Sequence, residues 1–185
     1  AVLLFDVHPK EVLTGKRPPK LMSNRDRNEL LENLGFEIIY VSFDEYKDKT
    51  PEEFFSLICE RYNIEVLTCG FNYRYGKNAM GSAETLKRDC EKRGVALFSL
   101  GEVDAYGEPV SSTRIRIEIE KGNIEKANYM LGREFSYKIE VVSGDKRGRL
   151  LGYPTISQFF DENFVTPRLG VYASKVFTDG KEYPA

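Results

Sequence analysis

Residues 64–100, IEVLTCGFNYRYGKNAMGSAETLKRDCEKRGVALFSL, decide the fold class of this 185-residue chain. The stretch begins with an apolar run, Ile64 to Cys69, and ends with another, Val95 to Leu100, and each run suits one buried strand. Between them Ser82 to Arg93 is typical of a helix, and Gly94 ends it. A helix between two strands is the usual connection between parallel neighbours. The stretch therefore predicts a parallel sheet covered by helices.

The same alternation extends toward the N-terminus. Ala1 to Val7 predicts a buried strand, residues 8–22 predict a loop with three prolines, and Ser23 predicts a helix cap with an acidic residue three positions on. Phe36 to Phe43 predicts the next strand, and Thr50 begins another helix. The order predicts an α/β fold with a doubly wound parallel sheet, whose ligands lie beyond the carboxyl ends of the strands.

The pattern changes in the last third of the chain. Val110 to Glu120 and Asn123 to Leu131 predict two short helices, and Gly132 ends the second. Beyond them, Tyr137 to Val142 and Val171 to Phe177 predict strands of an antiparallel β module. We therefore place a domain boundary at residue 132.

The composition argues against several classes of function. Lys and Arg total 27 and Asp and Glu total 29, so a net charge of −2 does not favour general binding to nucleic acid or a membrane surface. No apolar run approaches the roughly 18 residues of a membrane span, and no signal peptide is visible. Three cysteines without metal-ligand spacing predict reduced thiols and a cytoplasmic location. A start without methionine, inside an apolar run, predicts a fragment of a longer protein.

The segment GDKRGRLLGYPT, Gly144 to Thr155, has the composition of a phosphate-binding loop. Its glycines let backbone N–H groups turn toward an anion, and Lys146, Arg147 and Arg149 supply positive charge. The Thr155 hydroxyl suits a phosphate oxygen or Mg²⁺. A β-hairpin with a basic tip is the alternative interpretation, and composition alone leaves the two about equal.

A second anion-binding pattern is VSSTRIR, Val110 to Arg116. A helix N-terminus presents unpaired N–H groups to an anion, and Arg116 lies about one turn inside, on the side of Ser112 or Thr113. The alternative is that the hydroxyl side chains only cap the helix.

Two further segments lie where a parallel sheet places its ligands. GFNYRYGKNAMG, Gly70 to Gly81, alternates aromatic and polar side chains, and Asn72 can both donate and accept hydrogen bonds. An RNA-binding strand is the alternative, and the acidic composition disfavours it. His8 is the single histidine, and a lone histidine is more often a structural loop residue than a catalyst.

These motifs resemble those of the bacterial bifunctional riboflavin kinase/FMN adenylyltransferase family, in the order that the family uses. The resemblance rests on GFNYRYGKNAMG, VSSTRIR, GDKRGRLLGYPT and PRLGVYAS, Pro167 to Ser174. It implies that residues 1–132 are an FMN adenylyltransferase domain with a Rossmann-like sheet of the nucleotidyltransferase type, lacking its first strand and helix. It implies that residues 133–185 begin an antiparallel β-barrel of the riboflavin kinase type, lacking its C-terminal part.

The resemblance also implies ligands and their sites. It implies that riboflavin is phosphorylated to FMN and that FMN is adenylylated to FAD, with ATP and Mg²⁺ required and with FMN and FAD as substrate and product. It implies no nucleic-acid or membrane partner, and it leaves self-association as a possibility. The adenylyltransferase contacts to nucleotide and flavin fall on His8, Asn72, Ser112, Thr113 and Arg116. The kinase contacts to nucleotide and phosphate fall on Gly144, Lys146, Gly148, Arg149, Gly152, Pro154 and Thr155, with metal at Thr155 and, as a further candidate, Ser157.

The chain departs from the family pattern in ways that bear on catalysis. One histidine cannot supply the His-x-Gly-His-type motif, the family's catalytic glutamate is expected beyond residue 185, and Ser157 stands where the family has asparagine. No catalytic residue is therefore assigned with certainty, and we expect these 185 residues alone to be weak or inactive. Two alternatives remain, another adenylyltransferase of the same superfamily and a non-catalytic flavin- or nucleotide-binding homologue.

Overall fold

The computed structural model describes residues 1–153 and 155–185. They form two compact units, one of Ala1–Pro18 with Met22–Val110 and one of Pro19–Leu21 with Ser111–Ala185. Both helices predicted between residues 110 and 131 are thus grouped with the second unit. The functional boundary at residue 132 stays a prediction.

The first unit alternates strands and helices. In chain order its elements are β1 (Val2–Phe5), α1 (Pro9–Thr14), α2 (Asn24–Asn33), β2 (Ile38–Val41), α3 (Phe43–Tyr46), α4 (Pro51–Arg61), β3 (Val66–Gly70), β4 (Arg74–Tyr75), a 3₁₀ turn (Lys77–Ala79), β5 (Gly81–Ser82), α5 (Ala83–Arg93), β6 (Ala96–Leu100), β7 (Asp104–Ala105) and β8 (Glu108–Pro109).

The predicted parallel strand pairs are present. β1 runs parallel to β2, with Val2 opposite Ile38, and β3 runs parallel to β6, with Val66 opposite Ala96. Helices connect the strands of each pair, as a parallel crossover requires. Within the described residues the two pairs are separate two-stranded sheets, so the mixed α/β class is confirmed and a single doubly wound sheet is not.

Local capping explains where the helices begin and end. Ser23 accepts a hydrogen bond from the Asp26 N–H at 3.0 Å, and Thr50 forms a reciprocal capping box with Glu53. Gly94 ends α5 in the left-handed conformation, at φ 70°. The prediction of a loop over residues 8–22 was wrong for Pro9–Thr14, because Pro9 is well suited to the first turn of a helix and α1 forms there.

The core of the first unit is built largely from aromatic rings. Phe54 of α4 lies edge-on to Tyr46 at 5.4 Å between ring centroids and 5.5 Å from Tyr75. The buried members of this cluster are Val41, Tyr46, Phe54, Phe55, Ile58, Tyr75, Leu86 and Cys90. The core thus lies between the parallel pairs and the helices that connect them, which fixes the loops at the strand ends.

The second unit joins two helices to short antiparallel pairs. Its elements are α6 (Ser112–Lys121), α7 (Ile124–Leu131), β9 (Val141–Val142), α8 (Arg147–Leu150), β10 (Ser157–Gln158), β11 (Lys175–Thr178) and β12 (Lys181–Pro184). β9 pairs with β10 and β11 with β12, both antiparallel, so the predicted antiparallel character is confirmed with shorter strands. Ile119 and Ala127 are fully buried on α6 and α7. Among the described residues, no helix is long and apolar enough to cross a membrane.

Candidate functional site

His8 is exposed and caps α1, just beyond the carboxyl end of β1. Its Nδ1 accepts a hydrogen bond from the Lys10 backbone N–H at 3.1 Å. With Nδ1 as the acceptor, the proton of the neutral ring is on Nε2. His8 therefore has a structural role as a cap, and its contact with nucleotide phosphate stays a prediction.

The loop from Gly70 to Gly81 divides its aromatic side chains between core and surface. Tyr73 stacks on Tyr75 with 5.5 Å between ring centroids and 13° between ring planes, and Tyr75 is buried in the core. Burial raises the pKa of Tyr73 to about 12, so its hydroxyl stays protonated. Phe71 and Asn72 are exposed. Together with Arg74, which is also exposed, they are the side chains of the first half of this loop that remain accessible to a ligand.

Two glycines hold this loop against the core. A Cβ atom on Gly76 would lie 2.7 Å from the Pro51 nitrogen, and Gly76 has a φ of +72°. A Cβ atom on Gly81 would lie 2.6 Å from Cε1 of Tyr75. Glycine is required at both positions for close backbone approach, so these residues serve packing rather than anion binding.

One of the three exposed hydroxyl side chains at the start of α6 caps the helix. Ser111 is the N-cap, and its Oγ accepts a hydrogen bond from the Arg114 N–H at 3.2 Å. Ser112 and Thr113, the first two helical residues, are exposed. Helix capping thus explains the presence of Ser111 only. The hydroxyls of Ser112 and Thr113 lie beside the positive end of the helix dipole, where an anion binds favourably.

Arg116 is partly buried one turn into α6. Its Nε donates a hydrogen bond to the Pro19 carbonyl oxygen at 2.6 Å. Burial lowers the pKa of the guanidinium from its ordinary value, and the Glu120 carboxylate acts in the opposite direction. Arginine remains charged despite such a shift, so α6 carries a fixed cation close to its N-terminus. The contact between Arg116 and the Pro19 carbonyl was not predicted, because no sequence pattern indicates it.

The segment from Gly144 to Thr155 connects two antiparallel strands and contains a helical turn. β9 and β10 flank it, and α8 occupies residues 147–150. The hairpin interpretation and the phosphate-loop interpretation therefore describe the same connection. Lys146 precedes α8 in the left-handed conformation, at φ 58°, and Arg147 pairs with Asp145 at 3.2 Å. Lys146 and Arg149 are exposed.

Two glycines of this connection lie against the predicted metal-binding hydroxyls. A Cβ atom on Gly148 would contact the Tyr153 carbonyl and lie 3.2 Å from Oγ1 of Thr155. A Cβ atom on Gly144 would contact Oγ of Ser157. The structure thus brings Gly148 close to Thr155. Gly144 lies beside Ser157 in the same way.

The remaining predicted members of this site are less constrained. Gly152 is exposed, has a φ of +83°, and donates its N–H to the Arg149 carbonyl at 3.3 Å. Pro154 lies outside the described residues. A positive φ gives Gly152 a conformational reason for its identity that is independent of ligand binding.

The oxygen donors suit Mg²⁺ only when it arrives with a nucleotide. In the part of the chain that the structure describes, no group of three or more His, Cys, Asp or Glu side chains is placed to hold a metal ion. Mg²⁺ keeps several waters and commonly takes one or two protein oxygens together with substrate phosphates. The Thr155 and Ser157 hydroxyls fit that limited role.

The three thiols are poor candidates for catalysis. Burial raises the pKa of Cys59 and of Cys69, and it raises the pKa of Cys90 to about 11. A thiol in this state contains little thiolate at neutral pH, and thiolate is the nucleophilic form. The cysteines therefore have a packing role in the core of the first unit.

Comparison with protein families gives two matches in chain order. Residues 1–114 match the family described as FAD synthetase, and residues 131–185 match the family described as riboflavin kinase. The first match includes Ser112 and Thr113 and ends two residues before Arg116.

Similar whole proteins carry both names. The chain is 35% identical over 190 residues to the bifunctional riboflavin kinase/FMN adenylyltransferase of Listeria monocytogenes, covering 99% of this chain and 59% of that protein. It is 33% identical over 188 residues to the protein of the same name from Bacillus subtilis, covering 99% of this chain and 59% of that protein. The chain therefore spans 59% of the length of these curated relatives.

A solved structure shares the fold. It is a crystal structure from Streptococcus pneumoniae described as a macrolide-efflux protein, with a TM-score of 0.88 and 28% sequence identity to this chain. The match covers 98% of this chain and 60% of that one.

Proposed function

Since the chain belongs to the FAD synthetase family, we propose that the protein containing it phosphorylates riboflavin to FMN and adenylylates FMN to FAD, with ATP as the donor in both steps. The order of the two family matches along the chain supports a bifunctional enzyme. The observation that carries the proposal is the start of α6, where two exposed hydroxyls and a held arginine lie at the positive end of a helix.

We assign a domain to each activity. Residues 1–132 form the adenylyltransferase domain, in which the two parallel pairs are parts of one Rossmann-like sheet. Residues 133–185 belong to the riboflavin kinase domain, in which the antiparallel pairs are parts of a β-barrel. Free cysteines and the use of ATP support a cytoplasmic location.

In the adenylyl step, a phosphate oxygen of FMN attacks the α-phosphorus of ATP. The new O–P bond forms as the bond from the α-phosphorus to the bridging oxygen breaks, and pyrophosphate leaves. Ser112, Thr113 and Arg116 bind the triphosphate and stabilise the charge that develops on the departing pyrophosphate. His8 contacts nucleotide phosphate, and Asn72 contacts nucleotide or flavin through its exposed amide.

In the kinase step, the riboflavin 5′-hydroxyl attacks the γ-phosphorus of ATP. The O–P bond forms, the bond from the γ-phosphorus to the bridging oxygen breaks, ADP leaves, and the hydroxyl proton passes to a base outside the assigned residues. The connection between β9 and β10 positions the phosphates. Its assigned residues are Gly144, Lys146, Gly148, Arg149, Gly152, Pro154 and Thr155.

Thr155, with Ser157 two residues further along at the start of β10, would hold Mg²⁺ that arrives with ATP. When bound, the metal would neutralise charge on the phosphates. The absence of a side chain at Gly144 and Gly148 leaves the two hydroxyls accessible, because a Cβ atom at either position would fill the adjacent space. Serine is shorter than the asparagine of the family, so we expect weaker metal affinity than in relatives that carry asparagine.

The proposal is tested by separating the two activities in the full-length protein. Arg116→Ala should lower the rate of FAD formation from FMN by about 10²-fold or more and leave FMN formation from riboflavin unchanged, because it removes one stabilising charge from the adenylyl step. Thr155→Ala is the reciprocal variant and should lower FMN formation alone. Both rates are measured by chromatography of the flavins.

A matched control is available on the same helix. Arg114 lies two residues from Arg116 and its backbone, rather than its side chain, joins the cap, so Arg114→Ala should retain most of the FAD-forming activity. Equal loss of both activities in Arg116→Ala would contradict separate sites. An Arg116→Ala rate equal to that of the unmodified protein would remove Arg116 from the adenylyl site.

A non-catalytic flavin-binding homologue is the second candidate function. Ser157 favours it, because replacement of the family asparagine weakens the kinase site. Tight binding of FMN by the full-length protein without formation of FAD or FMN would establish this function and exclude the first.

A further inference from the structure

The segment Pro19–Leu21 belongs to the second compact unit although it lies about ninety residues before the rest of that unit. Within the unit it forms a parallel bridge in which Lys20 lies opposite Phe164. The Lys20 N–H donates to the Asn163 carbonyl at 2.7 Å, and the Val165 N–H donates to the Lys20 carbonyl at 3.0 Å. One residue is thus held through both of its backbone polar groups.

The segment of residues 163–165, which holds Lys20, is anchored in turn by Tyr137. Val165 is fully buried, and its carbonyl accepts a hydrogen bond from the Tyr137 hydroxyl. The Tyr137 ring lies edge-on to Phe135 at 4.7 Å and to Phe160 at 4.8 Å. These contacts leave the hydroxyl little freedom to turn from Val165.

The other end of the segment holds Arg116. The Pro19 carbonyl accepts from Arg116 Nε at 2.6 Å, and Pro19 directly precedes the residue whose backbone is fixed. A guanidinium is planar, so a bond at Nε restricts the plane in which its terminal N–H groups point. Those terminal groups are the ones suited to bidentate binding of a phosphate.

We propose that Pro19 is a positioning residue for the Arg116 guanidinium. Tyr137 fixes the position of the Pro19 carbonyl through Val165 and Lys20. A residue of the segment that matches riboflavin kinase thereby controls the affinity of the adenylyl site for a nucleotide triphosphate. The inference rests on the proposed function of Arg116. It adds a physical link between the two activities that passes through main-chain hydrogen bonds.

The test removes one oxygen atom from the chain of contacts. In the full-length protein, Tyr137→Phe should raise the KM for ATP in FAD formation by about three- to tenfold, the range expected for loosening one buried hydrogen bond, with kcat little changed. FMN formation should be unchanged. Tyr172→Phe is the matched control, because that hydroxyl also donates to a backbone carbonyl, of Arg168, at 2.6 Å, and should leave the KM unchanged.

Hydrogen exchange of the Arg116 Nε–H, followed by NMR without ligand, supplies a readout that is independent of activity. Exchange should accelerate about three- to tenfold in Tyr137→Phe and not in Tyr172→Phe. In addition, Tyr137→Phe should add little to the KM of Arg116→Lys, because residues acting through one contact are not additive.

The outcomes separate this inference from the function on which it rests. An Arg116 exchange rate in Tyr137→Phe equal to that of the unmodified protein overturns the positioning role, even if Arg116→Lys impairs FAD formation. Full additivity of the two substitutions also overturns it. Undiminished FAD formation in Arg116→Ala instead overturns the proposed function of Arg116, and it does so whatever the exchange rate shows.

Discussion

The substitution Gly81→Ala tests whether the loop from Gly70 to Gly81 is part of the core. A Cβ atom at this position would lie 2.6 Å from Cε1, 2.7 Å from Cδ1 and 2.8 Å from Cζ of Tyr75. The ring cannot easily move, because it stacks on Tyr73 at 5.5 Å and lies 5.5 Å from Phe54. The added methyl group therefore overpacks a buried cluster.

The expected cost follows from this geometry. Inserting a methyl group into a well-packed core typically destabilises a protein by about 1–3 kcal/mol. For a chain of this size, each 1 kcal/mol corresponds to roughly 2–4 °C in Tm. Gly81 does not have a positive φ, so backbone strain adds nothing and the whole effect reports the contact with the Tyr75 ring.

Gly101→Ala is the matched control. No atom lies within 4 Å of a Cβ placed on Gly101, and its φ is not positive. Its free energy of unfolding should be unchanged or increase by about 0.4–1 kcal/mol, because alanine reduces the entropy of the unfolded chain. Urea unfolding followed by far-ultraviolet circular dichroism measures both variants.

Equal unfolding midpoints for Gly81→Ala and Gly101→Ala would refute the assignment of Tyr75 to the core. The two tyrosines would then be available to line a flavin pocket, as Phe71 and Asn72 are. A midpoint lowered only in Gly81→Ala would restrict ligand contacts in the first half of this loop to the exposed side chains of Phe71, Asn72 and Arg74.

Two further predictions concern the helix cap and the thiols of the first unit. Thr50→Ala should lower the free energy of unfolding by about 1 kcal/mol, because the capping box at α4 is lost. In that box, hydrogen bonds from Thr50 lower the pKa of Glu53 below its ordinary value of 4.5. The contribution of Glu53 to the free energy of unfolding is thus complete above pH 4.5 and declines as the pH falls through the lowered pKa. Glu53→Gln retains a hydrogen-bond acceptor but has no ionisable group. It should therefore remove this part of the acid dependence in urea titrations between about pH 5 and pH 3. Cys90 is buried, and burial raises its pKa to about 11. It should therefore react with iodoacetamide at pH 8 more slowly than Cys59 or Cys69, as followed by mass spectrometry. Comparable rates for the three thiols in the folded protein would contradict the burial of Cys90.

Features that depend on neighbouring residues could be predicted from the sequence. The cap at Ser23, the helix start at Thr50 and the glycine stop at Gly94 each require only three or four consecutive residues, and each is present. The parallel pairing of strands on either side of a helix follows from the helical crossover between them, and it was also predicted. The boundaries were less accurate, because strand ends depend on partners elsewhere in the chain.

Contacts between distant residues could not be predicted. Arg116 and Pro19 are 97 positions apart, and the acceptor is a backbone carbonyl, a group that every residue carries. Similarly, the alternation of Phe71, Tyr73 and Tyr75 suggests one common face, yet two rings enter the core and one remains exposed. The division arises from the fold around Phe54 and Pro51, which lies outside the motif.

Glycine illustrates why a composition typical of phosphate binding is ambiguous without a structure. Gly81 and Gly148 both occur in loops that resemble ligand-binding motifs, and at both a Cβ atom would collide with neighbouring atoms. At Gly81 the neighbour is a buried aromatic ring, so the missing side chain serves packing. At Gly148 the neighbours are a backbone carbonyl and the hydroxyl of Thr155, so the missing side chain leaves polar groups accessible beside a basic helical turn. The chemistry of the neighbours, rather than the glycine itself, therefore distinguishes a structural loop from a candidate phosphate site.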